Sequence, residues 1–305
     1  MDFKQRPLNQ SLIHKFLYKG EEREQICPKK IYHIDIIKSH QYRTESMLKG
    51  SYFETLCLGK GAGGKIVDDL PRKALSKAKV LENQKRKASG LPELKGEKTT
   101  DQERIEEQAR RFVLLSTKYQ VTVTPDNTQV KLVIPWYKDP EIYLSMEFDI
   151  FPTAIMTNDG LKMAIIDLKL TADVNSTYGD FCWGAPEQMD LNQSYMYSYG
   201  VRQIEKNIEM NPHLKSIITK PVINLIKQEQ IDFYYWVFGY KKLEDKLIKI
   251  TWDKIKEAEL LESINKTIAI IEMYEKQGWP TRPNYRICKE CTVWECHDRQ
   301  SIQEL

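Results

Sequence analysis

The chain has 305 residues, 41% hydrophobic and 29% charged, enough for a sizeable core and unlike a disordered or heavily charged polymer. A net charge of +3 is too small for the whole molecule's field to attract nucleic acid, so any such affinity must come from local basic clusters. No apolar run is long enough to span a bilayer and Met1-Asp-Phe-Lys-Gln-Arg6 lacks the apolar core of a signal peptide, which predicts a cytoplasmic protein with no membrane partner.

Residues 1 to about 45 mix charged and short apolar runs, with Ile26-Cys27-Pro28 among them, and show no readable element. A helix is expected from Thr44 to Leu58, with Phe53, Leu56 and Cys57 apolar on one side, Glu54 beside them, and Gly59-Lys-Gly-Ala-Gly-Gly64 ending it. That glycine run lacks the Lys-Ser/Thr ending and the flanking strand of a phosphate loop, so it reads as a flexible loop. Residues 1–67 therefore form an N-terminal segment, followed by a helical insertion over 68–118. The insertion carries Arg72, Lys73, Lys77, Lys79, Lys85, Arg86 and Lys87, breaks at Ser89-Gly-Leu-Pro92, and resumes with a capping box at Thr100-Asp-Gln-Glu103. Charge runs are usually solvated faces; this one, lying just before the most chemical part of the chain, is expected to arch over it and meet backbone phosphates.

Strand alternation begins at Tyr119–Thr124, turns at Pro125-Asp-Asn127 and continues from Thr128 to Ile134. It leads into Met146-Glu-Phe-Asp149 and on to Leu161–Lys169, two strands meeting at the turn Asn158-Asp-Gly160. Asp149 sits well back on the first strand. Asp167 and Lys169, two apart, share a face of the second. A solvated Asp–Lys pair at a strand end is the bland reading of that triplet, but the upstream Asp across the turn gives it a chemical one. Two carboxylates and the carbonyl of Leu168 can hold Mg²⁺ or Mn²⁺, and Lys169 can orient the metal's water or stabilise pentavalent phosphorus. The predicted reaction is phosphodiester hydrolysis.

The following loop holds Asp173, Tyr178 and Trp183, at the rim of a cleft or packed into it. A helix is expected from Pro186 to Ile208, with Gln193 and Tyr197 one turn apart on one face. Strands over 231–240 and 247–252 extend the sheet, and their stripe Tyr234, Trp236, Phe238 reads as core. A helix over 253–277 ends at Gly278-Trp-Pro280, completing a core over 119–280. The tail, 281–305, crowds Cys288, Cys291 and Cys296 together, a half-built grip for a soft metal, whereas Cys27, Cys57 and Cys182 are isolated. Six cysteines in a cytoplasmic chain suggest metal ligands or buried apolar groups rather than disulfides.

Taken together, Gly50-Ser-Tyr-Phe-Glu54, Asp149, Asp167-Leu-Lys169 and Gln193-Ser-Tyr-Met-Tyr197 resemble, in order, the motifs of the PD-(D/E)XK nuclease superfamily. The resemblance is closest to its RecB-like exonucleases, which include CRISPR-associated and phage recombination enzymes. Two features depart from the pattern: Glu54 stands where many relatives have His, and no proline precedes Asp149. The resemblance implies an α/β fold, a mixed central β-sheet flanked by helices in a restriction-endonuclease-like core. It implies a metal held by Glu54, Asp149, Asp167 and the Leu168 carbonyl, with Lys169, Gln193 and Tyr197 as catalytic residues. It also implies a [4Fe–4S] cluster at Cys288, Cys291 and Cys296, with Cys57 or Cys27 as upstream donor; His297 would instead favour Zn²⁺. The expected function is exonucleolytic degradation of DNA ends in recombination, repair or phage DNA processing, alongside a helicase, recombinase or single-strand-binding protein. A restriction-type or structure-specific endonuclease and a non-cleaving DNA-binding or assembly module are the alternatives.

Overall fold

The computed structural model describes residues 7–18, 20–23, 26–39, 44–178, 181–282, 288–289, 291–293 and 295–296. The strand β1 (Leu8–Asn9) runs straight into α1 (Gln10–Phe16), which Asn9 caps by accepting the Leu12 N–H at 2.9 Å. β2 (Leu17–Tyr18) and β3 (Glu21–Glu22) form a two-residue antiparallel ribbon, and α2 (Pro28–Ile31) continues into a π turn at Tyr32–Ile36. In α3 (Glu45–Leu58) both ends are written locally. Thr44 accepts the Met47 N–H, and Gly59 adopts φ 78°, the left-handed stop that a side chain would strain. Irregular chain precedes α4 (Lys77–Ala88) and separates it from α5 (Thr100–Lys118). Thr99, rather than Thr100, caps α5 by accepting the Gln102 N–H, so the capping box does not form at the expected register.

The strands β4 (Thr128–Trp136), β5 (Asp139–Thr157) and β6 (Gly160–Thr171) follow one another antiparallel. α6 (Asn192–Arg202) and α7 (Lys220–Lys227) then cross to β7 (Ile231–Gly239), parallel to β6; β8 (Glu244–Ile250) pairs antiparallel with β7, and α8 (Lys254–Lys276) follows. The sheet order is β1-β5-β6-β7-β8, with β4 also on β5. This is a mixed sheet with a core on each face. Ile166, Leu168, Trp236 and Phe238 pack with Phe53 of α3 and Phe112 of α5. Opposite residues of the same strands, Ile165, Phe233 and Tyr235, pack with Phe16, Met196, Ile264 and Tyr274 from α1, α6 and α8. The period of two thus sorts each strand between two helical layers, and the aromatic stripe Tyr234, Trp236, Phe238 is buried as read.

One feature of the sheet makes the site. β5 pairs with β6 from Thr157–Gly160 back to Ile150–Ile166, with a register shift between Ile150 and Thr153. Before Ile150 the two strands part. β4 holds one edge of β5 throughout this region, so β1, which pairs parallel with Leu144 and Ser145, must take the edge that β6 has left. A wedge opens between β1 and β6.

Two expected elements take another form. Tyr119–Thr124 is not a strand, because Gln120 turns left-handed at φ 55° and breaks the extended run. The Asn127 side chain ties this segment to the sheet instead, donating to the Thr122 and Pro152 carbonyls and accepting the Thr124 N–H. The helix expected over 186–208 is divided into a 3₁₀ turn at Pro186–Gln188, α6, and a second 3₁₀ stretch at Glu205–Met210. Here the Asp190 side chain captures the Asn192 N–H and starts α6 afresh.

α6 lies close against the strands because Gly200 has no side chain: a Cβ there would stand 2.1 Å from Met146 Sδ and 3.2 Å from Leu132 Cδ2. Gly200→Val is therefore expected to cost about 1–3 kcal/mol by overpacking, read as a lower urea midpoint with unchanged slope.

Candidate active site

Where β5 and β6 part, the Leu168 N–H donates not to a strand carbonyl but to Asp149 Oδ2, at 2.7 Å. The other Asp149 oxygen accepts from Gln129 Nε2 at 2.9 Å. Gln129 makes this contact from a left-handed backbone, φ 49°, uncommon for a residue with a side chain. Asp149 is buried, and burial, followed by the charges of Asp167 and Glu54, lifts its carboxyl well above the usual range.

Asp167 and Lys169 share one face of β6, as the alternation requires, and Asp167 Oδ2 lies 2.5 Å from the Lys169 ammonium as an ion pair. Asp167 Oδ1 accepts from Gln193 Nε2 at 2.9 Å, and the same nitrogen lies 3.3 Å from the Tyr197 hydroxyl one turn along α6. Burial raises the Asp167 carboxyl despite the ion pair. Burial acts against the Lys169 ammonium, but Asp167 and Asp149 outweigh it and hold Lys169 above the ordinary lysine range. It is a fixed cation at neutral pH, with its side chain 25% exposed and its ammonium 6.0 Å from the centre of the Tyr235 ring. The Tyr197 hydroxyl is likewise raised, by burial and then by Asp167, and stays a neutral phenol.

Glu54 arrives from the opposite helical layer. Its Oε2 accepts the Ala62 N–H at 3.1 Å, and the neighbouring Gly63 N–H donates to Glu147 Oε1 at 2.7 Å. The glycine-rich stretch is thus a backbone clamp on two carboxylates; at Gly61 a Cβ would come within 3.1 Å of Glu54 Oε2. Burial raises the Glu54 carboxyl, Lys169 works against that, and Asp167 and Glu147 add to it. Sequence reasoning missed Gln129 and Glu147. Glu147, two before Asp149 on one strand, carried a period-of-two signal; Gln129 carried none.

These residues line a cleft of about 300 Å³ that also includes Asn9, Gln10, Ser11 and Ser145 from the β1 side of the wedge. Glu54, Glu147, Asp149 and Asp167 face Lys169 across it, an excess of negative charge in a buried, oxygen-lined space. Among the described residues no three His, Cys, Asp or Glu side chains stand as a ready-formed metal-binding group; Lys169, Gln129, Gln193 and the Leu168 N–H engage the carboxylates instead. The donor set still fits a divalent cation. It is all hard oxygen, and its negative charge is only partly offset, four carboxyl groups facing one ammonium.

The loop after β6 splits its candidates. Trp183 is buried edge-on against Tyr235, Tyr178 is 86% exposed, and Asp173 accepts the Asn175 N–H at 2.9 Å. The cysteines also divide. Cys57 is half-buried, and its thiol is raised by burial and then by the Glu54 and Asp149 charges. Cys291 is raised by burial and also feels Cys27 and Cys288, so Cys27 is the upstream thiol near the tail. The Lys29 N–H donates to the Pro280 carbonyl at 3.3 Å, joining the two segments. Cys288 and Cys291 are buried and Cys296 half-buried; His297 lies outside the described residues.

The fold is that of an α/β protein, a mixed sheet flanked by helices on both faces. In keeping with this, the chain resembles the crystal structure of a "putative exonuclease" from Eubacterium rectale at TM-score 0.50 and 14% identity, over 98% of this chain and 88% of that one. The likeness is one of fold. No protein-family model and no curated protein matches the chain. No helix among the described residues is long and apolar enough to cross a membrane.

The raised Asp149 carboxyl has a consequence for stability. Between the usual carboxylate range and its folded value, the folded state binds more protons than the unfolded state, so stability falls as pH rises through that window. Asp149→Asn keeps an acceptor for the Leu168 N–H and removes the charge. In EDTA it is expected to raise Tm at pH 8 and to bring no gain near pH 4, measured by thermal melts across pH.

Proposed function

We propose that the protein is a metal-dependent deoxyribonuclease that hydrolyses phosphodiester bonds from DNA ends. The observation that carries this reading is the wedge in the sheet, where Glu54, Asp149 and Asp167 are gathered around the Lys169 ammonium. Such a pocket suits Mg²⁺ or Mn²⁺, with Glu54, Asp149, Asp167 and the Leu168 carbonyl as its ligands. Bound there, the ion would supply an acidified water and neutralise charge at the phosphate.

The remaining work falls to the chain's own groups. As water adds to phosphorus and the bond to the leaving sugar oxygen breaks, Lys169 offsets the negative charge that builds on the phosphoryl oxygens. Its raised affinity for protons suits it to that electrostatic role and not to that of a base. Gln193 orients Asp167, while Gln129 and the Leu168 N–H orient Asp149. Tyr197 keeps its proton and lines the cleft, where it can donate to a phosphate oxygen. The name carried by the Eubacterium rectale structure supports the exonuclease reading and, with it, DNA as substrate.

For the tail we propose a [4Fe–4S] cluster, with Zn²⁺ as the alternative, on Cys288, Cys291 and Cys296. Cys27 replaces Cys57 as the upstream donor, because Cys27 is the thiol that Cys291 senses. Thiolate ligands and carboxylate ligands select different metals, so the two sites would not compete.

With Mn²⁺, end-labelled linear duplex is expected to be degraded and covalently closed circles spared, and EDTA should stop the reaction. Lys169→Met should lower the rate by about 10²-fold or more while Mn²⁺ binding persists. Discrete fragments from closed circles would turn the assignment to an endonuclease, tight binding without cleavage would turn it to a binding module, and EDTA-resistant cleavage would refute the metal mechanism.

The tail is tested separately by elemental analysis after anaerobic purification. Cys27→Ser and Cys291→Ser should each lose bound iron or zinc and melt at lower temperature, and Cys57→Ser should keep its full metal content. Loss of metal in Cys57→Ser alone would reverse the choice of upstream donor.

A further inference from the structure

We infer that the arm over residues 68–99, and α4 above all, is a contact surface for the phosphate backbone of a DNA strand entering the cleft; this rests on the nuclease reading above. α4 buries no residue against the body of the protein. Only Asn83 and Arg86 are half-buried in it, and both serve a local clasp. Asn83 Nδ2 donates to the Leu94 carbonyl at 2.9 Å and its Oδ1 accepts the Leu94 N–H at 2.6 Å, while Arg86 Nε donates to the Pro92 carbonyl at 2.7 Å. The helix is therefore held by hydrogen bonds to the irregular segment that follows it, and its outer surface is left for something else.

The charges on that surface are placed unlike those around it. Arg72, Lys73, Lys95 and Lys98, which flank the helix, each meet a carboxylate of Asp69, Glu97 or Glu106. Lys77, Lys79, Lys85 and Lys87 are exposed, and among the described residues none of them has a carboxylate partner. Two of the four also contradict local helix chemistry. Lys77 and Lys79 stand in the first turn, where the helix dipole disfavours cations, and that turn contains no acid. Helices seldom keep such a conflict without a compensating partner, and a polyanion is the partner that removes it.

The root of the arm places it beside the chemistry. The Val67 N–H donates to Thr55 Oγ1 at 3.1 Å, one residue from Glu54. Leu70 is buried in the core shared by α3 and α5, and Gln102 of α5 donates to Asp69 Oδ1 at 2.6 Å. A 12-residue helix is about 18 Å long, and at about 100° per residue Lys77, Lys85 and Lys87 fall within one half of its circumference while Lys79 lies on the clasped side with Asn83 and Arg86, so three of the lysines can meet phosphates of one strand. The cleft itself repels them, being lined by four carboxylates and one ammonium. Attraction for the substrate has to come from elsewhere, and this arm is an unpaired basic surface rooted next to it.

The test compares the full chain with a variant in which Lys77, Lys79, Lys85 and Lys87 are all changed to Gln. Binding of fluorescein-labelled duplex and single-stranded oligonucleotides is measured in EDTA over a salt series, and hydrolysis of bis(p-nitrophenyl) phosphate, a diester too small to reach α4, is measured with Mn²⁺. Three lost phosphate contacts should weaken DNA binding about tenfold or more and flatten the log–log salt slope by about 2–3 for duplex and somewhat less for single strands. Hydrolysis of the small diester and Tm should not change, and a variant with all four lysines changed to Arg should bind DNA like the parent. Unchanged DNA affinity and slope in the Gln variant, or weak binding in the Arg variant as well, would overturn the inference. If the parent hydrolyses neither substrate and yet loses DNA affinity with the Gln changes, the arm stands and the nuclease reading falls.

Discussion

The hydrogen bond from the Leu168 N–H to the Asp149 carboxylate marks the constraint on which the cleft depends. A β-strand of 19 residues exceeds what one neighbour can follow, and β5 changes partners along one edge, from β6 to β1. Backbone groups freed at the change must be satisfied, because an unpaired buried N–H costs roughly as much as a lost hydrogen bond. A carboxylate at that point satisfies the Leu168 amide and is at the same time drawn into a buried position beside Asp167. The strand's departure thus creates both the space and the charge that fills it.

That charge is costly to the fold, and the surrounding polar groups show how the cost is contained. Gln129, Gln193 and the Ala62 amide each give one hydrogen bond to a carboxylate, and Lys169 supplies the opposite charge. Burial still dominates, and all three carboxyls titrate above their ordinary range. Two helical layers converge on this point from opposite faces of the sheet, α3 with Glu54 and α6 with Gln193 and Tyr197. Close approach is secured by glycines, Gly61 beside the Glu54 carboxylate and Gly200 of α6 against Met146 and Leu132. The sheet fixes the two aspartates and the lysine, and the helices bring the remaining groups to them.

The distribution of charge explains how a chain of net charge +3 can be suited to a polyanion. Negative groups are concentrated in the cleft, and unpaired lysines are concentrated on α4, which is anchored at its root and otherwise free of the core. The thiols form a third, separate chemistry near the joint between α2 and the chain after α8.

Sequence periodicity by itself determined the elements that depend on near neighbours. The Asn158-Asp-Gly160 turn set the β5–β6 hairpin, alternation put Asp167 and Lys169 on one face, one helical turn joined Gln193 to Tyr197, and Thr44 and Gly59 bounded the helix of Glu54. Each follows from backbone geometry over a few residues. Only the tertiary structure decided what depends on distant segments meeting. Gln129 reaches Asp149 from a neighbouring strand through a left-handed backbone, Glu147 is clamped by a glycine loop 84 residues earlier, and β1 with the start of α1 closes the wedge. Cys57 and Cys27 looked alike as isolated thiols, and their different surroundings arise from long-range packing. Tyr119–Thr124 alternates like a strand but is bent by Gln120, because a local pattern records which side chains are apolar and not whether the backbone finds an edge to pair with.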